Sequence, residues 1–431
     1  MMLFIYRLFF PFVFPFFLPG LIWKLIRRPG HKASYWERFG IYSNEKKLQL
    51  REYQGGIWLH AVSVGETNLA LTVLNKWVKM APDQKFILST TTTTGQEIAR
   101  NKCPENVIVI FCPIDLTAFV RTALNLIKPS ALVIFETELW PNLICMAKKM
   151  NVKTILVNTR ISDKSFKGYS RFRAFFAPVL RCFDAIGVQT QTDKDRLNVI
   201  APDIDSKITV TGNIKFDQTP PEGAGFDFST IFGTSHDGIV ISASTHSPEE
   251  PLVISAFTKV RETVKNAKLV MVPRHAERGG EIEKMLSRTS FRYHRRSLGG
   301  TPDGELDVLL ADTTGELAGF IKSSDIVIMG KTLAGNDEGQ NIIEPAVMGK
   351  PIISGPKLKN FRQALDALKK NNAVRIVENE SQLVTAMTEY LQDPEKAKAL
   401  GNAAQNTILS NRGALQKTLD LLVESVKYNQ I

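Results

Sequence analysis

Residues 56–68, GIWLHAVSVGETN, decide how the chain is read. Ile57 to Leu59 have the unbroken apolar character of a buried strand end, and from Leu69 onward apolar residues return at helical spacing. Val64-Gly65-Glu66 joins the two. Strand, glycine turn and helix in that order form the βα unit of a parallel sheet. Such a turn is where α/β proteins often bind phosphate, because the helix N-terminus offers positive potential. Here Glu66 sets a carboxylate at that place.

Outward from this unit the alternation continues. KFILSTT, VIVIFC, ALVIFET, TILVNT and AIGVQT read as further strands, separated by stretches such as TNLALTVLNKWVKMA and DLTAFVRTALNLIK with helical spacing of apolar residues. The pattern pauses over residues 220–238, then restarts with GIVISAST, KLVMVPRH, DVLLADT, DIVIMGKT, PIISG and AVRIV. The expected fold is therefore α/β with two doubly wound Rossmann-like domains, over residues 41–219 and 239–431, joined by a linker and facing each other across a cleft. No short-period repeat and no low-complexity tract interrupts it.

The 431 residues, 44% of them hydrophobic, suffice for large cores, and a net charge of +11 suggests an anionic partner. Cys103, Cys112, Cys145 and Cys182 lack CxxC spacing and disulfide density, and read as ordinary thiols of a reducing compartment. The six histidines show no paired spacing, so metal catalysis has no support in the sequence. Gly330-Lys331-Thr332 resembles half a P-loop, but the earlier glycine would fall at Asp325 inside a strand. Asp203-x-Asp205 reads as a solvated turn rather than a metal site.

Residues 1–40 read as a membrane anchor with a basic juxtamembrane segment. Leu3 to Trp23 is apolar except for Arg7 and long enough to span a bilayer, whereas Pro11, Pro15 and Pro19 favour a kinked or in-plane element. Both readings stay open. Lys24, Arg27, Arg28, Lys32 and Arg38 then hold the rest of the chain on the cytoplasmic side, beside anionic headgroups.

Polar residues cluster just beyond the strand ends: Glu66; Glu136 and Glu138 in FETELWPN; Asn158 and Arg160 in LVNTRISDKS; Lys215; Ser242, Ser244 and His246; Arg274 and His275 after Pro273; Gly315 and Glu316; Asn341 and Glu344. Any one of them reads equally well as a helix cap or a surface charge. Together they suit transfer of a group from a nucleotide donor to a hydroxyl.

HAVSVGET, FETELWPN, NTRISDKSFKGYSRF, GNIKFD, ASTHSPEE, PRHAER, DTTGEL and NIIEPAVMGKPIISGP resemble the motifs of the Kdo transferases, in order from ERFG (Glu37 to Gly40) to about Phe361. Those enzymes move 3-deoxy-D-manno-octulosonic acid (Kdo) from CMP-Kdo to the lipid A precursor. The resemblance implies a GT-B glycosyltransferase fold, an N-terminal acceptor domain, a C-terminal nucleotide domain, inverting chemistry, and a place on the cytoplasmic face of a Gram-negative inner membrane. It implies no metal or cofactor and no nucleic-acid partner, the partners being CMP-Kdo, lipid IVA or a related acylated phosphorylated disaccharide, and the membrane.

Carried over by position, the resemblance makes Glu66 the base that takes the proton of the acceptor hydroxyl, kept ionised by the helix N-terminus, with Ser63, Gly65, Arg160 and Lys164 on the acceptor side. Glu136 and Lys215 support the transition state. Ser244, Pro273, Arg274, His275, the turn Thr314-Gly315-Glu316, and Asn341-Ile342-Ile343-Glu344 bind the nucleotide, with Glu344 accepting the ribose hydroxyls. Lys164, Lys167, Arg171 and Arg173, with Phe172, Phe175 and Phe176 interleaved, lie on a stretch that either dips into lipid or buries its aromatics in the core. One departure stands out. Where the family reads GGSL and then GGHN, this chain has MGKTL and Gln340-Asn341, and an amide at 340 cannot carry a proton. Two other readings stay open, another nucleotide-sugar enzyme of the same fold and a membrane-tethered binding protein without activity.

Overall fold

Two sheets of seven strands each, parallel throughout, organise the chain in the computed structural model, which describes residues 2–13, 16, 32–219, 223, 225–300 and 304–427. The first sheet holds β1 (Ile57–Ala61), β2 (Phe86–Thr90), β3 (Val107–Phe111), β4 (Ala131–Phe135), β5 (Lys153–Thr159), β6 (Ala185–Val188) and β7 (Ile208–Val210), in the order β3-β2-β1-β4-β5-β6-β7. The second holds β8 (Ile239–Thr245), β9 (Lys268–Pro273), β10 (Tyr293–Arg295), β11 (Val308–Leu310), β12 (Ile326–Met329), β13 (Ile352–Ser354) and β14 (Arg375–Ile376), in the order β10-β11-β9-β8-β12-β13-β14.

Both orders reverse direction once. β1 pairs with β2 on one side and β4 on the other, and β8 with β9 and β12, so the switch points, where ligands of such sheets bind, lie between β1 and β4 and between β8 and β12. Helices cover both faces of each sheet, which explains the continuous apolar runs. Ile57, Leu59 and Ala61 enter one core and Trp58 the other, while in the second sheet Ile239, Ile241 and Ala243 separate from Val240.

The chain divides into two compact units, residues 1–214 with 413–431, and residues 215–412. These limits correct the expected ones. Helix Ala414–Lys427 belongs to the first unit, where Ala414, Leu419 and Leu422 are buried in the core beneath β1 and β5. Gly187 in β6 lets it approach: a Cβ there would stand 3.1 Å from Leu421 Cδ2. The stretch expected as a linker is largely part of the second unit. Phe228, Ile231 and Phe232 are buried there, and the rings of Phe226 and Phe320 meet edge to face at 4.7 Å. Pro220 to Glu222 and Ala224 lie outside the described residues.

Two strands, β7 and β10, were not expected. Each has three residues, lies at a sheet edge and exposes part of its side chains, so neither carries the apolar run that betrays a central strand.

At the N-terminus, helix Met2–Val13 is docked on the first unit by its polar residues. Tyr6 Oη donates to Asp115 Oδ2 at 2.9 Å, Arg7 Nε donates to Asn142 Oδ1 at 2.8 Å, and the Tyr6 ring lies 5.7 Å from Phe175. Arg7, the one charge in an apolar stretch, therefore faces protein. Phe4, Leu8, Phe9 and Phe12 face outward, 68, 49, 58 and 70% exposed. Among the described residues no helix is long and apolar enough to cross a membrane, and the remainder of the expected anchor, residues 1, 14–15 and 17–31, lies outside them. The aromatics of residues 163–181 divide: Phe166, Tyr169 and Phe176 pack on the core, while Phe172 is exposed.

Candidate active site

In the first unit the site is built on the switch point. Helix Val64–Met80 begins directly after β1, and Ser63 caps it by accepting from Glu66 N at 3.3 Å. The Glu66 carboxylate turns back over the same end: Oε1 accepts from Ser63 Oγ and Oε2 from Val62 N, both at 2.8 Å. This is a reciprocal cap of the Ser-x-x-Glu kind. Each carboxylate oxygen keeps a lone pair. Glu66 is 6% exposed, and burial pushes its carboxyl above the ordinary glutamate range. The bonds from Val62 and Ser63 oppose that rise and the Glu136 charge adds to it. Desolvation thus outweighs the local hydrogen bonds in setting the proton affinity of this carboxyl.

Across the switch point, β4 is followed directly by Glu136, whose φ of 58° is left-handed, a strained conformation for a residue with a side chain. Its N–H bonds to Val157 O at 2.9 Å, and Thr137 Oγ1 donates to Arg160 O at 2.6 Å, so the loops after β4 and β5 are tied together. Glu138 follows, its carboxyl pushed up to about 7 by burial first and then by the Glu66 and Glu136 charges. Glu66 and Glu138 therefore both feel the Glu136 charge beyond the ends of β1 and β4, which makes their protons harder to lose. Lys164 is exposed on helix Asp163–Arg171, and Gly65 is exposed beside Glu66.

Lys215 opens the second unit with its ammonium 5.8 Å from the Phe361 ring. There, Ser244, the next-to-last residue of β8, is buried, with φ of 60°. Gly330 after β12 lies so close that a Cβ would stand 2.2 Å from Ser244 O, which only glycine permits. Arg274 and His275 follow buried Pro273, anchored by Arg274 N to Thr245 O at 3.0 Å, with both side chains exposed and the His275 ring 5.5 Å from that of His246. Thr314 and Gly315 are exposed in a turn whose Gly315 φ is 92°. Glu316 is engaged: Arg296 Nε and Nη2 donate to it at 2.9 and 2.6 Å, holding its carboxyl below the ordinary range.

The last of the residues expected to bind nucleotide lie at the start of helix Ile343–Val347. Asn341 spends its side chain on Gln218 Oε1 at 3.0 Å and on Ile343 N at 3.2 Å, and Ile342 and Ile343 are buried in the core. Glu344 differs from its neighbours: burial raises its carboxyl, and among the described residues its oxygens have no hydrogen-bond partner.

A family model described as 3-deoxy-D-manno-octulosonic-acid transferase matches residues 33–218. The 3-deoxy-D-manno-octulosonic acid transferase of Haemophilus influenzae is 29% identical over 94% of this chain and 94% of its own. That of Bordetella pertussis is 29% identical over 94% of this chain and 96% of its own. The chain belongs to the 3-deoxy-D-manno-octulosonic acid transferase family. It is a glycosyltransferase, and a solved glycosyltransferase from Rickettsia africae shares its fold, with a TM-score of 0.54 at 14% identity over 87% of this chain and 98% of that one.

Within this Kdo transferase family member the structure brings Ser63, Glu66 and Glu136 together. Two groups on the nucleotide side offer less than expected: Glu316 is held by Arg296, and Ile342 and Ile343 have their side chains in the core. Glu138, Glu249 and Arg296 had been given no role. The spacing Ser63-x-x-Glu66 was a legible capping signal; nothing in the local sequence marks Arg296 as the partner of Glu316, 20 residues on.

Proposed function

We propose that the protein transfers Kdo from CMP-Kdo to a hydroxyl of lipid IVA, or a related acylated and phosphorylated glucosamine disaccharide, with inversion at the anomeric carbon. The observation that carries this reading is the Glu66 carboxylate at the β1/β4 switch point, buried, raised in pKa and next to Glu136. An inverting step needs a carboxylate opposite the leaving group, basic enough to accept the hydroxyl proton as an oxocarbenium-like centre forms. A carboxylate whose proton affinity is raised by desolvation suits that task better than a solvated one. The proton passes from acceptor oxygen to a free lone pair of Glu66, the new C–O bond forms, and the bond to CMP breaks with its electrons on the phosphate.

On the donor side, Arg274 and His275 supply cationic and hydrogen-bonding groups for the phosphate, and the partnerless Glu344 carboxylate suits the paired hydroxyls of a ribose. Lys215 offsets the developing charge. A nucleoside monophosphate leaving group carries no diphosphate to shield, so the reaction is taken to need no metal ion. The outward face of helix Met2–Val13, with Phe172, supports seating on the cytoplasmic leaflet of an inner membrane. Purified protein should convert CMP-Kdo and lipid IVA to a product one or more Kdo residues heavier by mass spectrometry, unaffected by EDTA. CMP, and not UDP, should raise its Tm. Absence of transfer together with stabilisation by UDP would exclude this reading in favour of another nucleotide-sugar enzyme.

A further inference from the structure

The chemistry proposed above leaves unused the most completely hydrogen-bonded acid of the second unit. Glu249 stands in the first turn of helix Glu249–Thr263, after β8, and is 0% exposed. Its Oε1 accepts from Thr332 N and Leu333 N, both at 2.7 Å. Its Oε2 accepts from Lys331 N at 2.6 Å and His246 N at 3.0 Å. Four backbone donors from two loops converge on one side chain, and the loops belong to β8 and β12, the strands on either side of the switch point.

We propose that Glu249 is a positioning residue of the donor site: its carboxylate ties the loop after β8 to the loop after β12, and that tie sets the affinity for the donor nucleotide. The inference rests on the reading of the second unit as the CMP-binding one. The tied segments need such a restraint. Ser244 and Lys331 both have left-handed φ, near 60°, and backbones on either side approach to a distance that tolerates only Gly330. Strain of that kind persists only where the surroundings over-determine it. A buried aliphatic side chain would fill the same space but leave four N–H groups without acceptors.

The same carboxylate explains why Gly330-Lys331-Thr332 is not a phosphate loop. The N–H groups that would cradle a phosphate already face an anion of the chain itself, and the Lys331 ammonium is paired with Glu338. Donor phosphate recognition is thereby left to the exposed side chains of Arg274 and His275. The neighbouring acid works in parallel: Glu250, also 0% exposed, receives Arg278 Nη1 at 2.6 Å and Nη2 at 3.2 Å, and so holds the segment that follows His275.

The test is Glu249→Gln in the full-length protein, with CMP as the probe. Titration calorimetry should show CMP bound about tenfold more weakly or worse, because an amide presents hydrogens to two of the four N–H groups. The KM for donor should rise by a similar factor while kcat changes less, a split that loss of folded protein does not produce. Wild-type CMP affinity in the variant would overturn the proposal. Hydrogen exchange of the unliganded wild type decides the matter even if the variant fails to fold. The amides of His246 and of Lys331 to Leu333 should already be slow without nucleotide; fast exchange there would overturn the tie. A wild-type protein that does not bind CMP at all would instead sink the donor assignment.

Discussion

Ser63 and Glu66 hold each other: the Ser63 hydroxyl donates to Glu66 Oε1 at 2.8 Å and accepts from Glu66 N at 3.3 Å. The pair fixes both the start of helix Val64–Met80 and the direction of the carboxylate, so the residue that completes the helix cap is also the one proposed as the base. The Ser63 hydroxyl also lowers the proton affinity of Glu66 against the burial that raises it.

Ser63→Ala separates these effects. Loss of the cap should cost about 1 kcal/mol of stability. Loss of the donor should raise the Glu66 pKa further, so the acidic limb of kcat/KM against pH moves to higher pH. A variant with reduced stability and an unmoved limb would show that the hydroxyl does not tune the base.

Glu138 makes a stability prediction. Its carboxyl titrates near about 7 when folded and near about 4.3 when unfolded. Between those values the folded chain holds a proton that the unfolded chain has released, so this group lowers stability as pH rises through that window. Glu138→Gln should therefore leave stability at pH 4 unchanged and increase it by about 1–3 kcal/mol at pH 8. Denaturant melts at the two pH values give the difference, and an equal effect at both would contradict the shared carboxylate environment.

Arg296→Ala should act on the nucleotide through Glu316. Removing the ion pair frees the turn Thr314-Gly315 and uncovers the Phe226 ring, over which the guanidinium lies at 4.7 Å. CMP affinity should drop about three- to tenfold, with less than about 1 kcal/mol lost in stability, as for a partly exposed pair. Unchanged CMP binding would remove this turn from the donor site.

The outward face of helix Met2–Val13 predicts lipid binding independent of catalysis. Phe9→Glu with Phe12→Glu should abolish sedimentation with vesicles rich in anionic lipid, while turnover of a detergent-dispersed acceptor persists. Undiminished vesicle binding would place the membrane contact elsewhere.

Much of this architecture was legible in the sequence because parallel strands covered on both faces write themselves as apolar runs. The twelve expected strands are present, and Glu66, Glu136 and Arg274 follow their ends, whereas Glu344, expected beyond a strand end, lies in helix Ile343–Val347, well after β12. What escaped depended on contacts distant in sequence. Helix Ala414–Lys427 returns to the first unit because its apolar face fits beside Gly187, and no local pattern says which sheet a helix will cover. Phe226, Phe228 and Phe232 were lost in a stretch whose glycines and prolines suggested a linker. Cys145 and Cys182, read as ordinary thiols, have their Sγ atoms 3.0 Å apart. Glu249 was hidden differently: its helix-start position was visible, but its four donors come from segments of which one is more than eighty residues away.

The most direct test is the rate of Kdo transfer by Glu66→Gln, measured with CMP-Kdo and lipid IVA alongside CMP binding. The amide keeps the size of the side chain and can still accept the bond from Val62 N, but it cannot accept a proton from an alcohol. Transfer should fall by about a thousandfold or more while CMP affinity stays at the wild-type value. Transfer at a comparable rate would show that some other group takes the proton.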